Sequence, residues 1–494
     1  MAYAHLDTAA GVAGSMTGVP HHLVRWTGLA GSVLLALSAF LGGALPSAPL
    51  RSSPVVIWQA RYGPLVLIAW LVGTGLLAWA WWSLRNRELS PRWVLVTAAL
   101  WVLPMAVAPP FGSRDVYAYA CQGASFINGI SPYEQGVSAL PCPWLETMSY
   151  IWRDTPAPYG PLFVIIAGAV VGITDSLTAS IVIFRVLCLL GVVATAYAVP
   201  PLARRCGVPV GRALWLVLAC PLVAIHLVGG PHNDSLMIAP LVGGLAVVAS
   251  NRGRRWPLLG GGVLLGLAVA VKVTSVVVVP FAVLAAVAGP ITLRALFRDG
   301  LPVALGAAAT MVGITFGGGL DFGWIGGLTT GGVAVAWTSP PTAVGQTVNS
   351  VAQLFGASID AIPAARGVGV VLLAGTLVWM WFRAWHQDPL RYAGLALAVT
   401  VALASVVHPW YWTWPLAVIA ATTVRSNWAA LVALVSLFMI LPDGIGLARY
   451  TKIPGAPLMT LALILGAVAL VRMFRAEDRQ RVEDRRRAEP ATPS

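Results

Sequence analysis

Charge is what this chain has least of. Only 10% of its 494 residues are Asp, Glu, Lys or Arg, against 58% apolar, and a soluble fold of that length could not cover its surface with so few polar groups. Lipid must be its main solvent. Cysteine is scarce as well, five in all, and no Cys/His spacing suggests zinc; a divalent metal is compatible with the sequence but not implied by it. The alternation of an outer-membrane barrel is absent. So are a Walker loop, a dinucleotide-binding glycine fingerprint and a Ser/His/Asp arrangement, which leaves ATP and dinucleotide chemistry without support.

What the chain does have is a succession of long apolar runs. A span needs about 20 mainly apolar residues, and irregular backbone cannot face hydrocarbon. The runs therefore predict an all-α polytopic membrane protein of about 13–14 transmembrane helices, beginning near Leu23, Pro64, Trp93, Leu177, Ala213, Ser235, Pro257, Val273, Leu301, Val368, Tyr392, Trp412, Trp428 and Pro457. The first run, Leu23 to Leu45, is too long for a signal-peptide core and reads as the first span. The expected organisation is one transmembrane domain over residues 1–475 and a disordered cytoplasmic tail over 476–494, rich in Arg and acidic residues.

A formal charge of +13 invites a nucleic-acid reading, but most Lys and Arg lie between spans or in the tail. A cytoplasmic membrane face explains them better than nucleic acid does. With both termini inside, Arg85, Arg87 and Arg92 share one cytoplasmic loop. Arg204, Arg205 and Arg212 fall in another, and Arg252, Arg254 and Arg255 in a third, with Arg294, Arg298, Arg383, Arg391 and Arg425 on the same side. Counting Tyr159 to Ile173 as a full span would invert every later loop, so that stretch is expected to be short, re-entrant or interfacial. Two outer segments result, 109–158 and 317–365, the second with a polar helical stretch near Gln346 to Gln353. Cys121 and Cys142 both fall in the first and are disulfide candidates, whereas Cys188, Cys206 and Cys220 fall in membrane or cytoplasm.

Polar residues cluster in a few places, each with two open readings. In GSRDVYAYACQG, Asp115 can take a proton from a sugar hydroxyl beside ring-stacking aromatics, or cap the helix that starts there; Arg114 stands next to it. In VGGPHNDSLM, His232, Asn233 and Asp234 exceed what a single helix cap requires, and the preceding glycines allow close backbone approach to a ligand. Lys272 interrupts VAVKVTSVVVV, where it can hold a phosphate as a point charge or merely mark a turn. Arg185, in SIVIFRVLCLL, is either a lipid-phosphate contact or half of a structural ion pair. HPWYWTWP gathers His408, Trp410, Tyr411, Trp412 and Trp414 at a boundary where aromatic belts are ordinary, though a belt does not require a histidine. TPAPYGPLF shapes a membrane entry, with Tyr159 able to stack on a sugar. The charge-based topology puts all these motifs on the outer side.

A first large outer loop opening on an acid, a Pro-rich re-entry and many spans resemble the GT-C glycosyltransferases, integral membrane enzymes that use polyprenyl-phosphate sugars. More narrowly, SRDVYAYACQG, NGISPYEQG, APYGPLF, GGPHNDSLM, VKVTS and HPWYWTWP are similar to motifs of the polyprenol-phosphomannose-dependent α-1,6-mannosyltransferases that build lipomannan cores, from about Arg114 to Pro415. The resemblance implies inverting transfer of mannose from polyprenyl-phosphate mannose to the 6-hydroxyl of a lipid-anchored mannan at the outer face of the plasma membrane. Asp115 would be the base, Lys272, Arg185, His408 and more weakly Arg114 would meet the phosphate, and His232, Asn233 and Asp234 would orient hydroxyls. Another polyprenyl-phosphate sugar, such as arabinofuranose, fits the same pattern. A lipid or glycan transporter is the competing class, against which stand the missing internal repeat and the clustering of polar groups at one rim.

Overall fold

The computed structural model describes residues 19–48, 53–328, 330–424 and 426–468. The expectations for the N-terminal arm, for Arg425 and for the tail lie outside the described residues. Helices make up the regular structure, and among the described residues there is no strand, only an isolated bridge between Ile440 and Gly446. Each span start expected from the apolar runs falls inside a helical segment.

Length is where the structure departs from the runs. Five helices are individually long and apolar enough to cross a bilayer: His21–Gly42, Gly63–Ser83, Leu177–Arg205, Leu293–Gly317 and Ile362–Ala384. A bent pair, Val223–Gly229 and Asp234–Ser250, meeting at 112°, raises the number to six when counted as one span. Among the described residues seven further apolar helices have 10–17 residues, or about 15–25 Å at 1.5 Å per residue. Continuous apolar runs are thus cut by breaks, at Gly229–Asn233 and at Lys272, which hydropathy alone does not register. Interrupted backbone is tolerated at membrane depth only where protein or a polar cavity surrounds it. The breaks carry the His232 and Lys272 motifs into the bundle.

Small residues let the helices approach closely, as expected where no hydrophobic force separates helix from lipid. A Cβ on Gly31 would stand 2.7 Å from the Gly73 carbonyl oxygen, and one on Gly73 would stand 2.8 Å from that of Gly31. Trp81, on the same helix as Gly73, and Trp215, on the helix Val210–Val217, lock together reciprocally, each indole N–H donating to the other's backbone carbonyl at 3.1 and 3.0 Å. The cationic loops gather at one end. Arg87 donates to the Val19 carbonyl, Arg212 to the carbonyls of Arg85 and Val424 and to Ser426 and Asn427, and Arg205 to that of Ala249. At the opposite end the loops around Ala44, Pro110, Gly229 and Pro442 are joined by backbone hydrogen bonds.

The segment 109–158 is wrapped into this second end. Its helix Asp115–Ile127 is buried on nearly every side from Val116 to Gly123 and forms a wedge within the protein. Cys121 on that helix is joined by a disulfide to Cys142, with 5.4 Å between the Cα atoms. The segment 317–365 contains the helix Pro340–Leu354, begun by a Ser339 side chain that accepts from the Thr342 N–H. Pro161–Ile173 is a helix of 13 residues, shorter than the hydrocarbon thickness of about 30 Å.

Candidate active site

Asp115 is the first residue of its helix, and its carboxylate makes no capping bond; the Ser113 hydroxyl accepts from the Asp115 N–H instead. The side chain, 19% exposed, turns to His232, whose Nε2 lies 3.4 Å from Oδ2. His232 Nδ1 is 2.7 Å from the His226 carbonyl oxygen. A carbonyl only accepts, so Nδ1 carries a proton and Nε2 is left for the acid. Burial pushes the Asp115 carboxyl up, but the hydrogen bond and charge of His232, with His408 and Lys272 beyond, outweigh it and hold the group below its ordinary value.

Three rings form a stack behind this pair. The Trp410 indole lies 3.9 Å from the His232 ring centroid at 28°, and 4.5 Å from that of His408 at 2°. Both imidazoles therefore rest on one indole face or the other, where a cationic ring gains from the π-density. Tyr411 faces elsewhere: Lys272 Nζ sits 4.7 Å above its ring and 4.7 Å from that of Trp414.

The VKVTS and GGPHNDSLM motifs meet directly. Lys272 Nζ donates to Asp234 Oδ1 at 2.7 Å, and the Trp414 indole N–H donates to the same oxygen. Asn233 precedes the helix Asp234–Ser250 without capping it. Both ends of its amide, Asp234 Oδ2 and both ring nitrogens of His226 are buried without a hydrogen-bond partner. Each such group costs about 1–3 kcal/mol when its bonds are left unmade. They are concentrated around His232, the partner of Asp115.

The turn bearing Tyr159 docks on the same break. Gly160 N–H donates to the Val271 carbonyl at 3.1 Å, and Tyr159 packs edge-on against Tyr119 and Phe163, with centroids 5.3 Å away in each case. A Cβ on Gly160 would stand 2.2 Å from the Ala270 carbonyl oxygen. Gly160→Ala is therefore expected to displace the turn and lower transfer by about 10²-fold, the cost of a roughly 1 Å misplacement. Wild-type rates in a membrane assay of that variant would mean that the turn does not set the site.

Two cations weighed for phosphate are committed elsewhere. Arg185 donates to the carbonyls of Val228, Gly229, Ala106 and Ala108, tying two helix ends whose carbonyls lack helical partners. Among the described residues it makes no ion pair. Arg114 donates to the carbonyls of Thr147, Leu45 and Ala48, so it braces the loop that presents Asp115. Lys272 already faces a carboxylate. Arg449, on a turn that carried no motif, lines the same cavity as Asp115 and donates to the Tyr150 hydroxyl at 2.7 Å.

That cavity measures about 310 Å³ and is bounded by Asp115, Trp152, His408, Trp410 and Arg449 among others. Across His408 lies an apolar groove of about 440 Å³, walled by Trp412, Leu431, Val435, Met439 and Met459. Among the described residues no three His, Cys, Asp or Glu side chains converge as a metal site.

A helical membrane bundle with an acid in a cavity and an apolar groove alongside has the parts that a membrane-embedded glycosyltransferase requires. Residues 25–288 match the family described as alpha-(1->6)-mannopyranosyltransferase, N-terminal domain, and residues 341–474 match the MptB C-terminal domain. The chain is 31% identical to an alpha-(1->6)-mannopyranosyltransferase of Mycobacterium tuberculosis, with 84% of this chain and 81% of that protein covered. It is 30% identical to alpha-(1->6)-mannopyranosyltransferase A of the same organism over 84% of each, and 28% identical to alpha-(1->6)-mannopyranosyltransferase B of Corynebacterium glutamicum over 86% and 77%. No solved structure matches. The chain belongs to the alpha-(1->6)-mannopyranosyltransferase family, and its all-helical membrane fold is of the GT-C type.

Proposed function

We propose that this protein transfers mannose from polyprenyl-phosphate mannose to the 6-hydroxyl of a lipid-anchored mannan, with inversion, extending α-1,6 chains of a lipomannan or lipoarabinomannan-type lipoglycan. The site faces outward from the plasma membrane, and the termini and cationic loops face the cytoplasm, where positive charge accumulates. The observation that carries this reading is the junction at His408 of a polar cavity holding Asp115 with an apolar groove. A prenyl-linked sugar needs both, one for the hexose and one for the chain.

In the reaction the acceptor oxygen attacks the anomeric carbon, the bond from that carbon to the phosphate oxygen breaks, and the hydroxyl proton passes to the Asp115 carboxylate. The prenyl phosphate leaves carrying the bonding electrons. His408 at the junction and Arg449 on the cavity wall are the cationic or hydrogen-bonding groups available to it. Lys272 fixes Asp234, and Asn233 with Asp234 Oδ2 supplies hydroxyl-reading contacts.

The test is a membrane assay with polyprenyl-phosphate mannose or polyprenyl-phosphate arabinose as labelled donor and a synthetic α-1,6-mannoside as acceptor. Lengthened product from the mannosyl donor alone is expected. Product from the arabinosyl donor alone would replace the sugar assignment. No product from either, with labelled lipid crossing the bilayer, would favour the transporter.

A further inference from the structure

A long groove lies away from Asp115. It measures about 770 Å³ and runs between the helices Pro91–Val107 and Leu177–Arg205, with the helix Val210–Val217 as its floor. Its walls extend from Pro91 to Ala106 on one helix, a distance of about 22 Å at 1.5 Å per residue. That is most of the hydrocarbon depth of about 30 Å. Every lining side chain is apolar except Tyr197 and Arg204. Arg204 stands at the end where the cationic loops gather; its neighbour Arg205 bonds the Ala249 carbonyl, while among the described residues no hydrogen bond or ion pair engages the Arg204 guanidinium.

A second observation comes from the backbone. Pro200 and Pro201 lie inside the helix and have no N–H, so the carbonyls of Ala196 and Tyr197 lose their donors four residues on. Both residues line the groove, and Tyr197 is 78% exposed. Carbonyls facing hydrocarbon without donors are costly. Arg204 follows on the same helix face, one turn after Pro200. One helix face thus presents a cation, two acceptors without helical donors and a long apolar track, in that order from the cationic end.

We propose that this groove binds an anionic phospholipid. The phosphate pairs with Arg204, and an acyl chain lies along the track past Ala196 and Tyr197 toward Ala106. The site is independent of the transfer reaction, because its headgroup end is at the opposite end of the bundle from Asp115.

The experiment uses the full chain, purified in detergent and exchanged with phosphatidylglycerol, phosphatidic acid or phosphatidylcholine, with retained lipid counted by native mass spectrometry. Wild type is expected to retain one phosphatidylglycerol or one phosphatidic acid and to release phosphatidylcholine. Arg204→Gln should weaken phosphatidylglycerol retention about fivefold, as removal of one interfacial cation does. Ala99→Phe, which fills the track from a lipid-exposed position, should abolish it, whereas Arg92→Gln, at the same end but outside the groove, should leave it unchanged. Folding of each variant is checked by monodisperse elution and unchanged thermal unfolding in phosphatidylcholine. Equal retention of phosphatidylglycerol and phosphatidylcholine by wild type, or undiminished phosphatidylglycerol on folded Arg204→Gln and Ala99→Phe, would overturn the site.

Discussion

Asp115→Asn is expected to reduce mannosyl transfer by about 10²–10⁴-fold, the usual contribution of a positioned general base. The amide keeps the size of the carboxyl and can still face His232, so the helix Asp115–Ile127 and the stacked rings keep their places. What is lost is a site for the acceptor's proton. The matching expectation concerns pH. Because His232 holds the Asp115 carboxyl below its ordinary value against the upward push of burial, the base stays ionised into acid, and the acid limb of the rate profile should lie below the usual carboxylate range. His232→Gln removes the stabilising charge, raises the Asp115 pKa and should shift that limb to higher pH. Undiminished transfer by folded Asp115→Asn would remove it as the base; an unmoved limb in His232→Gln would remove the coupling.

The second large effect is on stability. Asp234 is fully buried and Lys272 nearly so, and they meet at 2.7 Å. Removing one partner strands the other charge in a low-dielectric interior, at a cost of about 3–5 kcal/mol. Asp234→Ala and Lys272→Met are each expected to show that loss in detergent unfolding. The double variant Lys272→Met/Asp234→Leu should recover most of it, since a packed apolar pair avoids the desolvation of both ions. It should remain inactive, which separates the pair's service to the fold from the contact Asp234 Oδ2 offers a substrate. Single variants that lose less than about 1 kcal/mol, the scale of a solvated surface pair, would show that water reaches the site.

Much of this was legible in the sequence, for identifiable reasons. Apolar runs mark helices because lipid admits little else, and positive loops share one end because charge resists translocation; Arg85, Arg205 and Arg212 do converge there. His232, Asn233, Asp234, Lys272 and His408 announced themselves as polar interruptions in apolar surroundings. Side-chain partners were not legible. Arg185 looks the same in sequence whether it meets a phosphate or four carbonyls, and only the helix ends around Ala106 and Gly229 decide. His226 is a single imidazole in AIHLVG, six positions before His232, and its backbone carbonyl sets the orientation of that ring. Trp414 lay within a quoted motif but read as belt, although its indole N–H binds Asp234. Arg449 had no local pattern at all, since its relation to Asp115 comes from loop closure across most of the chain.

The short helices have a consequence for the lipid around them. Asn427–Ser436, one wall of the groove beside His408, has 10 residues, hence a height of about 15 Å, and it presents exposed Leu431 and Val435. A bilayer about 30 Å thick meeting so low a wall must thin or tilt its chains to avoid hydrophobic mismatch. On that flank the headgroup plane dips toward the protein. A prenyl-linked donor of the kind proposed above would be lowered to the level of the junction by the deformation itself, so part of the energy for bringing it to Asp115 would come from the membrane's elasticity.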